Sequence, residues 1–217
     1  MNAIDAHGRG ELLERVRRYY DGKLREHGAT ARGVDWPSEA SQRTRFVQLA
    51  GLLPADRPFT VNDVGCGYGG LVEFLDAAGL SADYLGMDVS ATMVEAARRL
   101  HGTRALARFE TGSMPDRVAD YAVASGIFNV RLDVPADAWA EYVRDGIDLL
   151  DRCSRAGFAF NCLTAYSDPQ RMRDDLHYAD PCELFDLCKR RYARNVALLH
   201  DYGLYEFTIL VRKETHA

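Results

Sequence analysis

The spacing of apolar residues changes several times along the chain, and the changes divide it into elements. Leu12, Leu13, Val16, Tyr19, Tyr20 and Leu24 recur at helical intervals between Arg15, Arg17, Arg18 and Lys23, which predicts an amphipathic helix over residues 11–26. The glycine-rich stretch His27 to Pro37 reads as a loop closed by Trp36-Pro37. Ser38 can then cap a second helix carrying Phe46, Val47, Leu49, Ala50 and Leu53 to the break at Pro54. Phe59 to Val64 is a compact β-forming run, followed by Leu71, Val72, Phe74, Leu75 and Ala78 at helical spacing. A second strand, Asp83 to Met87, ends at Asp88, and Ser90 caps a helix through Met93, Val94, Ala97 and Leu100. Leu106 to Glu110 and Tyr121 to Ala124 are further strands. Pro135 starts a helix burying Trp139, Tyr142, Val143, Ile147 and Leu150, and Phe158 to Leu163 is a fifth strand. Strands alternating with helices predict an α/β fold, a parallel sheet wrapped on both faces.

The end of the chain departs from that alternation. Asp180-Pro181 with Glu183 has the form of a cap, a first-turn proline and a capping-box acid for a helix with Leu184, Phe185 and Cys188. Val196 to His200, the turn Asp201-Tyr202-Gly203, and Tyr205 to Lys213 then predict an antiparallel hairpin. In its second arm Tyr205, Phe207, Ile209 and Val211 alternate with Glu206, Thr208, Leu210 and Arg212, as in a strand buried on one face. The expected organisation is a helical region over residues 1–55 and a sheet core over 56–217.

Composition narrows the class. With 217 residues, 47% hydrophobic and 27% charged, the chain can bury one sizeable core. No apolar run approaches the roughly 20 residues of a membrane span, and Met1 to Gly10 lacks the apolar centre of a signal peptide, so a cytoplasmic protein is expected. Five cysteines, at positions 66, 153, 162, 182 and 188, form no Cys-x-x-Cys pair and have no histidine at metal spacing; reduced thiols and no metal are expected. A net charge of −5 disfavours a phosphate-binding surface and with it nucleic acid as partner.

The candidate chemistry sits where the first strand turns into a helix. Gly65, Gly67 and Gly70 satisfy the G-x-G-x-x-G pattern of dinucleotide sites, with Asp88 placed to hold a ribose. Asp63, two residues earlier, makes the run Asp-Val-Gly-Cys-Gly-Tyr-Gly. A carboxylate there would repel a pyrophosphate but attract an ammonium group. The run resembles motif I of the class I methyltransferases that use S-adenosylmethionine (SAM). The resemblance extends from about Arg57 to Lys213: the acid at Asp88, the small polar end of strand three at Ser113, a motif IV region at Ser125 to Asn129, and the terminal hairpin. It implies a Rossmann-like, mostly parallel sheet with a C-terminal antiparallel hairpin, an N-terminal helical lid, SAM as cofactor and S-adenosylhomocysteine as product.

The resemblance also implies site residues. Asp63 and the backbone of Gly65, Cys66, Gly67 and Gly69 would face the methionine part of SAM, and Asp88 the ribose. Val89 and Met93 would touch the adenine, with Ser113 and Met114 on its other edge, and Ser125 and Gly126 would reach the amino group. From the N-terminal region Tyr20 and Trp36 would supply rings, and Arg45, on the polar side of its helix, a cation for the SAM carboxylate. His177, Tyr178 and His200 are the candidate general bases, in segments that flank the acceptor side in such enzymes. Ser-Gly-Ile-Phe-Asn at motif IV is unlike the Asn/Asp-Pro-Pro-Tyr/Phe of exocyclic-amine methyltransferases. The expected acceptor is a small molecule, with O-methylation ahead of N-methylation. The alternatives are an RNA or protein methyltransferase, an NAD-dependent oxidoreductase, and a SAM-binding module without catalysis.

Overall fold

The computed structural model describes residues 6–214, with side chains from Gly8 onward. Helix α1 (Ala6–His27) is followed by a single 3-10 turn (Arg32–Val34) and α2 (Glu39–Ala50). The alternating part runs β1 (Phe59–Val64), α3 (Gly70–Ala77), β2 (Ala82–Asp88), α4 (Ala91–His101), β3 (Ala107–Thr111), β4 (Ala119–Ala124), α5 (Ala136–Arg152) and β5 (Ser154–Leu163). Helix α6 (Pro181–Arg191) and the strands β6 (Asn195–Leu199) and β7 (Glu206–Arg212) complete it. The seven strands form one sheet in the order β3-β2-β1-β4-β5-β7-β6. All neighbours are parallel except β5–β7 and β6–β7, so the expected mostly parallel sheet with a terminal hairpin is present.

Local signals set the element starts. Ser38, Ser90 and Asp180 each accept a hydrogen bond from a first-turn backbone N–H of the helix they precede, as their sequence positions predicted. The Pro135 start of α5 also holds. Trp139 on that helix is fully buried and its indole N–H donates to the Phe128 carbonyl at 2.8 Å, tying α5 to the segment after β4.

Three expectations drawn from periodicity are corrected. Strand β7 is buried on both faces, not one: Thr208 and Glu206 are as enclosed as Phe207 and Ile209. The cause is its interior place between β5 and β6, with α2 lying over it. On α4 the inward position is His101, while Leu100 faces solvent. Arg45 does not lie on a solvated face of α2. It is buried, with Nε and Nη2 donating to the two oxygens of Glu206 at 2.8 and 2.7 Å, and its guanidinium lies 3.9 Å over the Trp36 ring. Helix α2 buries Phe46 and Leu49 together with Phe59, Val61 and Leu210, which makes it part of the layer covering the sheet.

The order of the strands places the functional cleft. From β1 the chain goes outward through β2 and β3, then returns to lay β4 on the other side of β1. Loops leaving β1 and β4 therefore diverge, opening a crevice at the carboxyl ends of the two strands. Gly65 follows β1 and Ser125 follows β4, so both stand at this crevice.

Candidate active site

Two adjoining chambers occupy the crevice. The larger, about 110 Å³, is bordered by Gly65, Gly67, Asp88, Val89, Met93, Ser113, Ser125 and Gly126, with Tyr20 and Trp36 from the N-terminal region. The smaller, about 30 Å³, has Asp63, Cys66, Gln42 and Tyr68 in its wall. Val34, Trp36, Gly65, Gly67 and Ser125 line both, so they are two compartments of one site. Room of 30 Å³ suits one compact head group, such as an amine, rather than a ring.

Backbone geometry explains the glycines at the entrance. Gly65 has φ 77°, and a Cβ there would stand 2.2 Å from Ile127 Cγ2. Gly126 has φ 80°, and a Cβ would meet Trp36 Cζ2 at 2.5 Å. Side chains at either position would be strained and would also displace the wall.

The carboxylates are held by specific partners. Asp88 accepts from the backbone N–H of Gly67 at 2.9 Å and of Ser90 at 2.8 Å, so it ties the glycine loop to the start of α4 while facing the larger chamber. Burial raises its pKa against the pull of those two N–H groups. Asp63 is fully enclosed and accepts from the Tyr84 hydroxyl at 2.5 Å. Burial, with the Asp88 charge adding to it, pushes the Asp63 carboxyl up to about 7 despite that hydrogen bond. Ser125 Oγ is buried with no hydrogen-bond partner among the described residues, a polar atom left for an occupant.

Helix α1 forms the outer wall. Arg9, Leu13, Val16 and Tyr20 line the larger chamber opposite Tyr142, Gly146 and Leu149 of α5. Asp21 fastens the helix: one oxygen accepts from Ser90 Oγ at 2.5 Å and Thr92 Oγ1 at 2.7 Å, at the first turn of α4 beside Asp88. Tyr19 donates to Asp35 at 2.6 Å and Lys23 pairs with it at 2.7 Å, which joins the loop leading to Trp36 to the same helix. Asp21→Ala removes the α4 contacts together with the Arg17 Nη1 pair, at 2.5 Å on the other oxygen, within α1. It should raise the dissociation constant for S-adenosylhomocysteine about three- to tenfold in calorimetry, the range expected for losing one or two exposed charge-assisted bonds that hold a wall and do not touch the ligand.

Other residues singled out in the sequence lie elsewhere. Gly69 has φ 84° at the start of α3, where it packs against His101 and Phe109 and borders neither chamber. The Met114 side chain is 65% exposed and does not line the cleft. Arg45 borders a third cavity on the far side of Trp36. His177 and Tyr178 line a separate cavity between α5 and α6; His177 is held by its backbone N–H on the Asn129 carbonyl, and burial with the Arg131 charge lowers its pKa to about 4. His200 is exposed, with Tyr166 and Phe207 against its ring. The structure brings none of the three to the glycine cleft. Residues that the sequence reading did not connect with the site are Arg9, Leu13, Val16, Tyr142 and Leu149. The helical period places such residues inward, but it cannot distinguish a cleft wall from a core.

Comparison with known proteins defines the class. A family described as "Methyltransferase domain" matches residues 61–146, from β1 into α5. A Mycobacterium tuberculosis protein classed as a methyltransferase, Rv1506c, is 59% identical over 162 residues, covering 75% of this chain and 98% of that protein. The chain therefore belongs to the class I SAM-dependent methyltransferases, and SAM is its cofactor. Among solved structures, 1,6-didemethyltoxoflavin-N1-methyltransferase of Burkholderia thailandensis superimposes with TM-score 0.63 and 18% identity, covering 99% of this chain and 93% of that one. DhpI with SAM bound gives TM-score 0.64 and 19% identity over 93% and 97% of the two chains.

The titration of Asp63 makes a prediction. If its anion faces the ammonium of the ligand, binding requires loss of the proton that the free protein retains below about 7. Affinity for S-adenosylhomocysteine should then fall as pH drops from 7.5 to 5.5, approaching tenfold per pH unit at the acid end, and Asp63→Asn should bind weakly and flatten the profile. Stability should run the other way. A folded-state pKa raised above the ordinary 3.8 means the stabilising contribution of the protonated form is complete below that value and lost as pH rises through about 7. Asp63→Asn keeps an oxygen for Tyr84 and should raise the melting temperature of the free protein at pH 8. A pH-independent affinity in the unmutated protein would remove Asp63 from the ligand.

Proposed function

We propose that the enzyme methylates a small molecule, and that the residues lining the two chambers hold SAM as the motif resemblance implies. Asp88 accepts the ribose hydroxyls, Val89, Met93 and Ser113 frame the adenine, and Asp63 with the Gly65–Gly67 backbone takes the amino-acid end. The larger chamber accordingly receives the nucleoside and the smaller one the ammonium head. When bound, SAM supplies a methyl carbon on a sulfonium: the acceptor's lone pair makes the new bond, the broken carbon–sulfur pair stays on sulfur, and any acceptor proton passes to water. The protein's part is to hold the acceptor in line and to exclude water, which for well-oriented reactants is worth roughly 7–11 kcal/mol.

The observation that carries the small-molecule reading is the place of α1 and Trp36 in the wall of the site, beside compartments of about 110 and 30 Å³. The acidic chain supports the same reading against nucleic acid. No helix among the described residues is long and apolar enough to cross a membrane, and we place the enzyme in the cytoplasm. Oxygen remains the preferred acceptor atom, in a hydroxyl acidic enough to react without help. A ring nitrogen is the second reading, favoured because no histidine among the described side chains lines the cleft and such a nitrogen needs no base. The enzyme of the same fold from Burkholderia thailandensis is by name an N1-methyltransferase of 1,6-didemethyltoxoflavin. The test is incubation with SAM and separate metabolite, RNA and protein fractions, followed by mass analysis. Gain of one methyl in a metabolite is expected, and methylation confined to a polymer fraction would overturn the reading.

A further inference from the structure

A third cavity, about 150 Å³, lies on the other side of Trp36 from the chambers assigned to SAM. Tyr20, Val34 and Trp36 line both it and the larger chamber, so one wall of side chains separates the two spaces. Its size is that of an engineered cavity that accepts benzene, so there is room for one ring between these side chains.

The polar lining indicates what that ring carries. Asn129, the last residue of the segment after β4, is buried. Its Oδ1 accepts from the Leu163 backbone N–H at 3.1 Å, which fixes the amide orientation, and its Nδ2 has no hydrogen-bond partner among the described residues. Nδ2 is shut off from solvent, and a buried amide donor without a partner is costly, so a guest whose accepting atom reaches it as the wall side chains yield relieves that cost. The charged groups around the cavity are already neutralised. Arg45 is paired with Glu206, Asp35 with Lys23, and Arg173 with Asp175. An ionised guest would enter without a counter-ion, whereas a neutral one needs none.

We propose that this cavity seats the methyl acceptor, and that the part entering it is a neutral, planar group of single-ring size whose carbonyl oxygen or ring nitrogen accepts a hydrogen bond from Asn129 Nδ2. The proposal rests on the small-molecule reading above and adds to it the chemical class of the acceptor and the residue that selects it. Trp36 and Tyr20 stand between the two spaces, so the acceptor's reacting atom must extend past their edge into the larger chamber to meet the methyl carbon in line.

The test uses three probes on the full chain loaded with S-adenosylhomocysteine: benzamide, benzoate and toluene, followed by ligand-observed NMR and calorimetry. Benzamide should bind most tightly. Asn129→Asp keeps an oxygen for Leu163 but replaces the donor, and should weaken benzamide about three- to tenfold or more while leaving toluene within twofold. Leu176→Phe fills the cavity without touching the amide and should displace all three probes. Affinity for S-adenosylhomocysteine, measured first in each protein, reports folding and the cofactor site. Equal binding of toluene and benzamide, a preference for benzoate, or benzamide binding that survives Leu176→Phe would overturn the proposal with the methyltransferase reading intact. No binding of S-adenosylhomocysteine to the unmutated protein would remove that reading, and the acceptor assignment with it.

Discussion

Asp88→Ala should weaken binding of SAM and S-adenosylhomocysteine tens- to hundreds-fold. Two losses combine in this one substitution. The carboxylate faces the larger chamber, where it would accept both ribose hydroxyls, and removing two buried charge-assisted bonds costs roughly 2–4 kcal/mol. It also accepts from the backbone of Gly67 and Ser90, so without it the glycine loop loses its tie to α4. Ser90, whose hydroxyl accepts from the Met93 N–H, is the cap of that helix, and Asp88 is therefore not required for the helix to start. Asp88→Asn separates the two roles. It retains one accepting oxygen for the loop but removes the charge, and should recover part of the stability while binding remains at least tenfold weak. Calorimetry and thermal melts on both variants provide the check; a change under threefold for Asp88→Ala would show that the residue serves the loop alone.

What could be read from the sequence was what neighbouring residues decide. Ser38, Ser90 and Asp180 are caps because the side chain meets a backbone N–H two or three residues on, a choice made locally. The glycine turn is of the same kind, since positive φ at Gly65 follows from the tightness of the turn itself. Residues misread or missed depend on distant partners. Arg45 is polar and stands at a helical position that alone reads as solvated, yet Glu206, 161 residues away, turns it inward. Glu206 is itself buried only because the hairpin inserts β7 beside β5, leaving β6 at the edge. Nothing within either segment indicates that order. The proposed bases His177 and Tyr178 failed to meet the cleft for a related reason: the segment after β5 runs back along α5 and α6, a path set by packing, while His200 stands at the exposed turn after β6. Asn129, by contrast, lay inside the motif IV segment already marked as functional, where its Nδ2 and Ser125 Oγ are both buried without a partner among the described residues.

Deletion of residues 1–36 should abolish methyl transfer and leave a folded sheet. All seven strands and the Ser38 cap of α2 lie beyond the deletion, and α2 keeps its contacts with β5, β7 and α3. Of the deleted described residues only Leu12, Ala31 and Gly33 are fully buried; Leu13, Val16, Tyr20 and Trp36 are partly exposed and border the cleft. The sheet therefore loses little core while the cleft loses one side. Removing Trp36 also uncovers Arg45 and Gly126. Water reaching the Arg45–Glu206 pair lowers the desolvation cost it carries when buried, which limits the damage to the fold. The cofactor fares worse. If about 100 Å² of its apolar surface returns to water, the loss is about 2.5 kcal/mol, or close to a hundredfold in affinity. Turnover falls further, because the wall that would separate and align cofactor and acceptor is gone and water enters the path of the methyl group. A circular dichroism melt beside a single-turnover assay with the acceptor found in the metabolite screen distinguishes the outcomes. A cooperative melt with no methyl transfer is the expected pair. Full activity in the folded truncation would deny α1 and Trp36 any part in closing the site, and a chain that fails to fold would make them a structural part of the core.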